Sequence, residues 1–369
     1  MSKGDHGLTV GTDIRLPLYV HTTDRQRFKN CRLAWHFTSN LRLNLEPIST
    51  GKALMFGTAW HAGLEAYYDP EQPKRDIELA KAEFSRSVNR WYAGIERPSD
   101  DETDIYNESL LLGRGMLDHY GEYAAVNDRF KVIAVEKHIL VPLGIEVPCS
   151  SMIHHPDRSG LCKECDDTGK RPLVYTLKLD GLVEDFNGRI WIVEHKTADK
   201  MPDNTDYLLM DDQCGSYLWG VEQELGFMPE GVLYNIAWKR TPTKLKTLKN
   251  GNLSSDKRIV TTYDYAKRQI EAHYGSVPED FVPFLETRKG ENRFFYRENI
   301  RRNAQEIHFL ADRIIDEAME MVNPSLPMYR NPNRFNCSSC AFVGPCLSWG
   351  EGGDYELMLK GNYQQRRRD

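Results

Sequence analysis

The alternation of hydrophobic and polar positions divides the chain into helical and strand-like segments. Apolar residues at helical spacing predict helices at about 53–68, 75–93, 103–125, 205–225, 264–274 and 298–322. Runs rich in β-branched and aromatic residues predict strands at 132–141, 173–185, 189–194 and 231–238. Helices and strands thus alternate through the middle of the chain, which indicates an α/β core with a mixed sheet flanked by helices.

Charged residues interrupt the apolar face of the strand that ends in IVEHK. Glu194 and Lys196 lie on a face that carries apolar side chains, because successive residues of a strand point to opposite faces. A three-residue loop with Gly188 in the left-handed conformation would place Asp180 of the preceding strand opposite Glu194. A two-residue Asn-Gly turn would instead place Asp180 opposite His195. We expect the three-residue loop.

Two carboxylates at one point of a sheet repel each other unless a cation lies between them. A hard divalent ion such as Mg²⁺ or Mn²⁺ binds carboxylate oxygens and keeps some of its waters. Such an ion polarises a phosphoryl group and activates water, while a neighbouring lysine orients that water or stabilises developing charge. A solvated salt-bridge cluster is the alternative. The pattern around Asp180, Glu194 and Lys196 therefore predicts a site that cuts phosphodiester bonds.

Composition narrows the class of protein without defining its function. The chain has 369 residues, 40% hydrophobic and 28% charged, which is typical of a globular protein with one large or two ordinary domains. It has no stretch of about 20 apolar residues and no apolar secretory signal, so we expect a cytoplasmic protein without a membrane partner. The formal net charge of -6 means that nucleic-acid binding would require a local basic surface.

Residues 239–258 supply such a basic surface. Asp256 is the one acidic residue among seven basic ones, namely Lys239, Arg240, Lys244, Lys246, Lys249, Lys257 and Arg258. These side chains can neutralise phosphates, although a solvated loop can have the same composition. Because the segment directly follows the last core strand, we expect it to contact DNA.

The spacing of the eight cysteines suggests two metal sites and one cysteine that belongs to neither. One group, at the C-terminal end with one cysteine far upstream, consists of Cys31, Cys337, Cys340 and Cys346. The other has the spacing of a zinc knuckle and consists of Cys149, Cys162 and Cys165 with His155 or His154. A loop with free thiols is the alternative for this second group. Cys214 is expected to be a small packed residue.

The motifs together resemble those of a known enzyme family. Asp180, thirteen intervening residues and Glu194-His195-Lys196 resemble the catalytic signature of the PD-(D/E)xK nuclease superfamily. The segment GTAWHAGLE is similar to the histidine motif of its RecB-like branch, and QCGSY matches the QxxxY motif of that branch. Alone, these two segments would read as a structural histidine and an ordinary amphipathic helix. The resemblance implies a restriction-endonuclease-like mixed β-sheet core flanked by helices.

The resemblance also implies roles for individual residues. The residues expected to bind Mg²⁺ or Mn²⁺ are His61, Asp180, Glu194 and the main-chain carbonyl of His195. Lys196 would position or activate the attacking water, and Gln213 and Tyr217 would orient the substrate or the lysine. Glu136 matches a glutamate often found on the strand before the catalytic hairpin and is a weaker candidate.

The group of four cysteines resembles the iron–sulphur arrangement of RecB-like nucleases, including AddB and the CRISPR adaptation nucleases. In those families one cysteine before the nuclease core joins three after it around a 4Fe-4S cluster, which needs four thiolates. Here the implied cluster would tie the C-terminal segment to the start of the fold. A four-cysteine zinc site is the alternative.

The expected function is a metal-dependent DNA nuclease, more an exonuclease than a sequence-specific endonuclease, acting in DNA repair or recombination. The stretch TPTKLKTLKNGNLS also resembles phage-encoded RecB-like nucleases, so the location would be the host cytoplasm. The alternatives are a non-catalytic DNA-binding subunit and a structure-selective endonuclease. No P-loop motif is found, so a helicase or recombinase would be a separate partner.

The predicted elements and motifs divide the chain into five parts. They are an irregular segment at 1–24, a helical region at 25–130, a nuclease core at 131–240 with a cysteine-rich insertion at 146–172, a basic loop with helices and cluster cysteines at 241–348, and a tail at 349–369.

Overall fold

The computed structural model describes residues 15–48, 51–149, 162–290 and 292–366. Its strands are β1 (Leu18–His21), β2 (Leu45–Pro47), β3 (Phe130–Pro148), β4 (Lys170–Asp185), β5 (Ile190–Ala198), β6 (Gly231–Trp238), β7 (Phe295–Ile300) and β8 (Tyr363–Gln365). Its α-helices are α1 (Thr22–Asn30), α2 (Arg32–Thr38), α3 (Lys52–Tyr68), α4 (Ile77–Ala93), α5 (Asp100–Asn127), α6 (Asp212–Leu225), α7 (Tyr263–Tyr274), α8 (Val282–Glu286), α9 (Ala304–Val322), α10 (Arg334–Ser338), α11 (Val343–Gly350) and α12 (Tyr355–Asn362). No helix in this described part is long and apolar enough to cross a membrane.

A mixed sheet of six strands lies at the centre of the fold, in the order β1-β4-β5-β6-β7 with β3 also paired to β4. β5 is antiparallel to β4 and parallel to β6, and β7 is antiparallel to β6. One edge of β4 pairs first with β1 at residues 173–176 and then with β5 at residues 181–184. The mixed sheet with flanking helices confirms the expected α/β, restriction-endonuclease-like architecture.

Helices cover both faces of the sheet. α1, α2, α6 and α9 contribute to a core that contains Tyr175, Leu177 and Ile192, whereas α3, α4 and α5 contribute to a second core. α6 packs very close to β4, because a Cβ atom added at Gly220 would lie 2.0 Å from Leu177 Cδ1. A larger residue at Gly220 would therefore displace the helix that carries Gln213 and Tyr217.

Among the described residues, the segments near the two ends contain more regular structure than the sequence predicts. Residues 1–24 were expected to be irregular, but β1 pairs in parallel with β4 and α1 begins at Thr22. Residues 349–369 were expected to be a tail, but α12 and β8 lie there, and β8 is antiparallel to β2. The two strands were missed because they have only four and three residues, too few for alternation to be visible in the sequence.

Two predicted helices also have different boundaries. The helix predicted at 298–322 was wrong at its start, because residues 298–300 belong to the strand β7. α9 begins only after Asn303, whose side chain caps it through the main-chain nitrogen of Glu306. The helix predicted at 205–225 is divided into a 3-10 turn, Asp206–Met210, and α6. The division falls at Asp211, which caps α6 by accepting a hydrogen bond from the main-chain nitrogen of Cys214.

Candidate active site

The loop between β4 and β5 sets the alignment of the two carboxylates. Asp185 pairs with Arg189 across the loop, and Gly188 between them has a φ of 75°. The ladder then pairs Leu182 with Ile192 and Gly181 with Val193. The next position in the same register places Asp180 beside Glu194. The structure therefore has the three-residue loop and the alignment expected from the sequence.

Asp180 and Glu194 lie among the other motif residues. Asp180 Oδ2 accepts a hydrogen bond of 2.7 Å from the main-chain nitrogen of His195, and its Oδ1 lies 3.1 Å from His61 Nδ1. Glu194 is only 1% exposed, and its Oε1 contacts the ammonium group of Lys196.

The QxxxY motif completes the cluster from α6. Gln213 Nε2 donates hydrogen bonds to Glu194 Oε1, at 3.0 Å, and to the hydroxyl of Tyr217, at 2.6 Å. The side chains of residues four apart on a helix point the same way, so both motif residues can face the carboxylate. Four elements, α3, β4, β5 and α6, thus bring His61, Asp180, Glu194, Lys196, Gln213 and Tyr217 to one place.

Glu136 lies on β3, which pairs with β4 as β5 does, and its side chain is close to Asp180. Ligand atoms of His61, Glu136 and Asp180 all lie within 4.8 Å of one another. Glu136 has a left-handed backbone with a φ of 47°, which a non-glycine residue adopts only at a cost in energy. Its carboxylate contacts the ammonium group of Lys178. The weaker sequence candidate is therefore part of the same cluster.

The cluster has the properties of a divalent-cation site. Within the described residues, Glu194 Oε2 is buried and has no hydrogen-bond partner, which is unfavourable for a carboxylate oxygen. Burial and the like charge of Asp180 raise the pKa of Glu194 to about 8. A cation bound by His61, Asp180 and Glu194 would contact Glu194 Oε2 and would offset the repulsion between the two carboxylates. The residues therefore fit Mg²⁺ or Mn²⁺.

We expect the affinity for Mn²⁺ to rise as the pH increases from about 6 to 8 and to level off above about 8. The ion binds the ionised form of Glu194, whose pKa is about 8, so each bound ion displaces protons below that value. His61 adds to this effect, because Asp180 raises its pKa in spite of burial, which lowers it. One displaced proton gives a change of about tenfold per pH unit.

The measurement is a calorimetric Mn²⁺ titration at several pH values on wild-type protein and the Glu194→Gln variant. The variant should bind more weakly and with a smaller dependence on pH, because only the contribution of His61 remains. An equally steep dependence in the variant would assign the displaced proton to another group.

A buried polar network lies behind His195 and was missed by the sequence analysis. Burial lowers the pKa of His195 to about 3, so its imidazole is neutral at physiological pH. The ring stacks on Tyr68, and its Nδ1 lies 3.3 Å from Asn235 Nδ2. Arg297 donates a hydrogen bond to the side chain of Asn235 and another, of 2.7 Å, to Asp128. The network supports the residue whose main chain holds Asp180.

Asp128→Asn should destabilise the protein by about 3–5 kcal/mol, because it leaves a buried arginine without its charged partner. Asp128 is 1% exposed and contacts the guanidinium groups of Arg75 and Arg297. The free energy of unfolding in urea measures the effect. Asp256→Asn is the matched control, since Asp256 pairs with the 91% exposed Arg258 and its replacement should leave the free energy of unfolding almost unchanged. Equal losses in the two variants would contradict a structural role for the network.

Three of the four cysteines of the first group lie around one small core although Cys31 is distant from the others in sequence. Cys31 lies between α1 and α2, Cys337 is in α10 and Cys346 is in α11. Cys31, Cys340 and Cys346 pack against a small core of Leu33, Phe37, Phe342 and Leu359. Nearby main-chain contacts include a hydrogen bond of 3.1 Å from the nitrogen of Leu33 to the oxygen of Tyr329. The C-terminal segment is thus held beside the start of α2.

The second group of cysteines is also assembled, and its three thiols could bind a metal ion. The sulphur atoms of Cys149, Cys162 and Cys165 lie within 4.8 Å of one another. His154 and His155, considered as further ligands, lie outside the described residues. Cys214 is fully buried in the core.

The basic segment is folded onto the body of the protein. The main-chain nitrogen of Lys239 donates to the oxygen of Ala198, which places the start of the segment at the end of β5 that carries Lys196. Leu245 and Leu253 are buried against α7 and α8. Between and beyond these anchors, the side chains of Lys244, Lys246, Lys249, Lys257 and Arg258 are exposed.

Comparison with known proteins agrees with this geometry. The model of the PD-(D/E)XK nuclease superfamily matches residues 22–346. No curated protein matches the chain. The chain is similar to a solved structure described as "Crystal structure of SSO0001", with 12% sequence identity, coverage of 76% of this chain and 82% of that one, and a TM-score of 0.24. That likeness is too distant to inform on function. The family match, however, covers most of the chain, and the protein therefore belongs to the PD-(D/E)XK nuclease superfamily.

Proposed function

We propose that the protein is a metal-dependent DNA exonuclease of the RecB-like iron–sulphur branch, which hydrolyses phosphodiester bonds during DNA repair or recombination. The observation that carries the proposal is the convergence of the six motif residues around Glu194, whose buried Oε2 has no hydrogen-bond partner in the described structure. A salt-bridge cluster without catalytic function would not need an orphaned carboxylate oxygen at its centre.

His61, Asp180 and Glu194 would hold the divalent ion, with the main-chain carbonyl of His195 as a further donor. The bound ion would supply Lewis acidity to the phosphate and lower the pKa of water. Burial lowers the pKa of Lys196, but the charge of Glu194 raises it by more once that carboxylate is ionised, so Lys196 keeps its proton. A protonated lysine donates hydrogen bonds and cannot accept a proton. Lys196 would therefore orient the attacking water and stabilise negative charge that develops on the phosphate.

Gln213 and Tyr217 act as positioning residues in this proposal. The Gln213 amide donates to both Glu194 and the Tyr217 hydroxyl, so it fixes the orientation of the carboxylate. Burial and the charge of Glu194 raise the pKa of Tyr217 well above its usual value, so its phenol stays protonated. The pair would hold Glu194 in place while leaving its Oε2 available.

A groove beyond the end of β5, the strand that carries Lys196, offers a path for an unpaired DNA end. It is lined by Lys200, Met201, Trp238 and Tyr296. The guanidinium group of Arg240 lies 4.9 Å from the centre of the Trp238 ring. Aromatic rings interleaved with basic side chains bind single-stranded nucleic acid by stacking and charge. The groove and the basic segment together favour single-stranded or frayed ends as substrate.

We expect the variant Lys244→Ala/Lys246→Ala/Lys249→Ala to bind single-stranded DNA more weakly, with a salt dependence lower by about two units of log-log slope. Each of these exposed lysines would neutralise one phosphate. Fluorescence anisotropy of labelled DNA over a range of salt concentrations measures the slope. A control variant replaces three other exposed lysines, Lys74, Lys289 and Lys360. The same slope for wild type and the first variant would show that these lysines of the basic segment do not contact DNA phosphates.

The four cysteines Cys31, Cys337, Cys340 and Cys346 would hold a 4Fe-4S cluster. Cys31, Cys340 and Cys346 pack against one small core although Cys31 lies far upstream in the sequence. One thiolate before the nuclease core and three after it supply the four ligands that an iron–sulphur cluster needs.

Cleavage of end-labelled linear DNA beside a covalently closed circle tests the proposed activity. Anaerobically purified protein with Mn²⁺ should degrade linear single or double strands and leave the circle intact. Cutting of the circle would identify an endonuclease instead. DNA binding without cleavage of any substrate would contradict catalysis by this chain alone and favour a binding subunit of a larger complex with a helicase or recombinase.

A further inference from the structure

The second group of cysteines lies at the end of the sheet where β3 finishes and β4 begins. The sulphur of Cys162 is 3.7 Å from that of Cys149 and 3.3 Å from that of Cys165. Cys149 and Cys165 have no exposed surface. Two of the three thiols are therefore shielded from solvent and lie close to the third.

These distances match a metal–thiolate site and do not match a disulfide. Sulphur atoms that share a tetrahedral zinc ion lie about 3.8 Å apart, whereas a disulfide bond is about 2.0 Å long. All three cysteines are free, and a disulfide between any two of them would leave the third unpaired. Soft thiolate ligands in a compact group favour zinc over magnesium or manganese.

The turn after Cys165 makes this arrangement possible. Asp166 and Asp167 both have left-handed backbones, with φ values of 48° and 58°, a conformation that aspartate tolerates better than most residues. The Asp167 carboxylate accepts a hydrogen bond of 3.1 Å from the main-chain nitrogen of Cys162. The chain then returns so that the main-chain nitrogen of Cys149 donates to the oxygen of Gly169 at 2.8 Å. The turn therefore brings Cys162 and Cys165 close to Cys149.

The cysteine site also touches the chain that leads into β1. The main-chain nitrogen of Leu16 donates to the oxygen of Glu164 at 2.9 Å. Arg171 donates to the oxygen of Leu16 at 2.7 Å and to the carboxylate of Glu164 at 3.1 Å. A rigid turn at Cys162–Cys165 would thus fix the position from which β1 joins β4.

We propose that Cys149, Cys162 and Cys165 bind one structural zinc ion, separate from the nuclease site and from the other four clustered cysteines. The ion fixes the turn whose residues are hydrogen-bonded to the main chain of residues 16–17. It thereby keeps β1 paired with β4. This assignment concerns the architecture of the sheet and does not depend on the proposed exonuclease activity.

The metal content of anaerobically purified protein, measured by inductively coupled plasma mass spectrometry, tests the proposal. We expect one zinc ion per folded chain after dialysis against EDTA, which strips the nuclease site. Cys162→Ser should lose the zinc and keep the iron, whereas Cys337→Ser should lose the iron and keep the zinc. Zinc-free wild-type protein that is folded by circular dichroism, or iron that disappears in Cys162→Ser, would overturn the assignment.

Cobalt provides a second measurement that does not depend on a variant folding. Protein expressed in cobalt-supplemented medium should show a strong sulphur-to-cobalt charge-transfer band in the near ultraviolet and the visible bands of tetrahedral cobalt. Added zinc should abolish these bands in proportion to the zinc that binds. Cobalt-loaded protein without thiolate charge-transfer bands would overturn the proposal.

Discussion

Lys196→Ala is expected to lower the rate of DNA cleavage by about a hundred- to a thousandfold, which is the effect of removing one preorganised donor from a developing negative charge. The ammonium group of Lys196 contacts Glu194 at the centre of the cluster, and no second lysine among the described residues makes an ion pair with that carboxylate. DNA affinity should change by less than about threefold, because distant basic side chains supply most of the phosphate contacts.

A single-turnover cleavage assay at saturating Mn²⁺ measures this loss. Lys289→Ala is the control, since Lys289 pairs with Glu286 and is largely exposed. It should keep most of the wild-type rate. If Lys196→Ala also keeps more than about a tenth of the rate, the lysine does not stabilise the reacting phosphate.

Cys337→Ser should remove the broad absorbance near about 400 nm that marks the cluster and destabilise the protein by about 5 kcal/mol. The magnitude follows from the loop-closure entropy of a cross-link that spans roughly 300 residues. Cys337 is exposed, so its replacement removes a ligand without creating a cavity in the core.

Urea unfolding, iron analysis and limited proteolysis of the same samples test this prediction. The last helices should become sensitive to protease, although they should not detach entirely. Asn336 still donates a hydrogen bond of 3.0 Å to the main-chain oxygen of Asn30, and Arg32 still contacts Glu320. Ser338→Ala is the neighbouring control. Iron and stability at wild-type levels in Cys337→Ser would exclude this cysteine as a ligand, and zinc in place of iron would favour the four-cysteine zinc site.

The parts of the site that follow from local geometry could be predicted from the sequence. The separation of Asp180 and Glu194 follows from a period of two along each strand and from a glycine at the left-handed position of the loop. Gln213 and Tyr217 converge because four residues make about one turn of a helix. These positions need no knowledge of the rest of the fold.

The parts that depend on contacts between distant residues could not be predicted. Arg297 and Asp128 are 169 positions apart, and neither belongs to a motif with its own spacing. β7 was missed because its residues include Arg297, Glu298 and Asn299, so it lacks the apolar alternation of a core strand. It lies at the end of the sheet order, where no strand of the described part of the chain pairs with its outer edge and polar residues are tolerated.

The partner change along β4 has a consequence for how metal binding could be observed. The antiparallel ladder ends at Gly181 and Val193, and beyond it the amide of His195 bonds to the Asp180 side chain rather than to the backbone of β4. This amide is therefore protected from exchange with solvent deuterium only while the carboxylate accepts its hydrogen. The exchange rate of this amide therefore reports the orientation of the Asp180 side chain. It can be measured without DNA or catalysis, and with or without a bound metal ion.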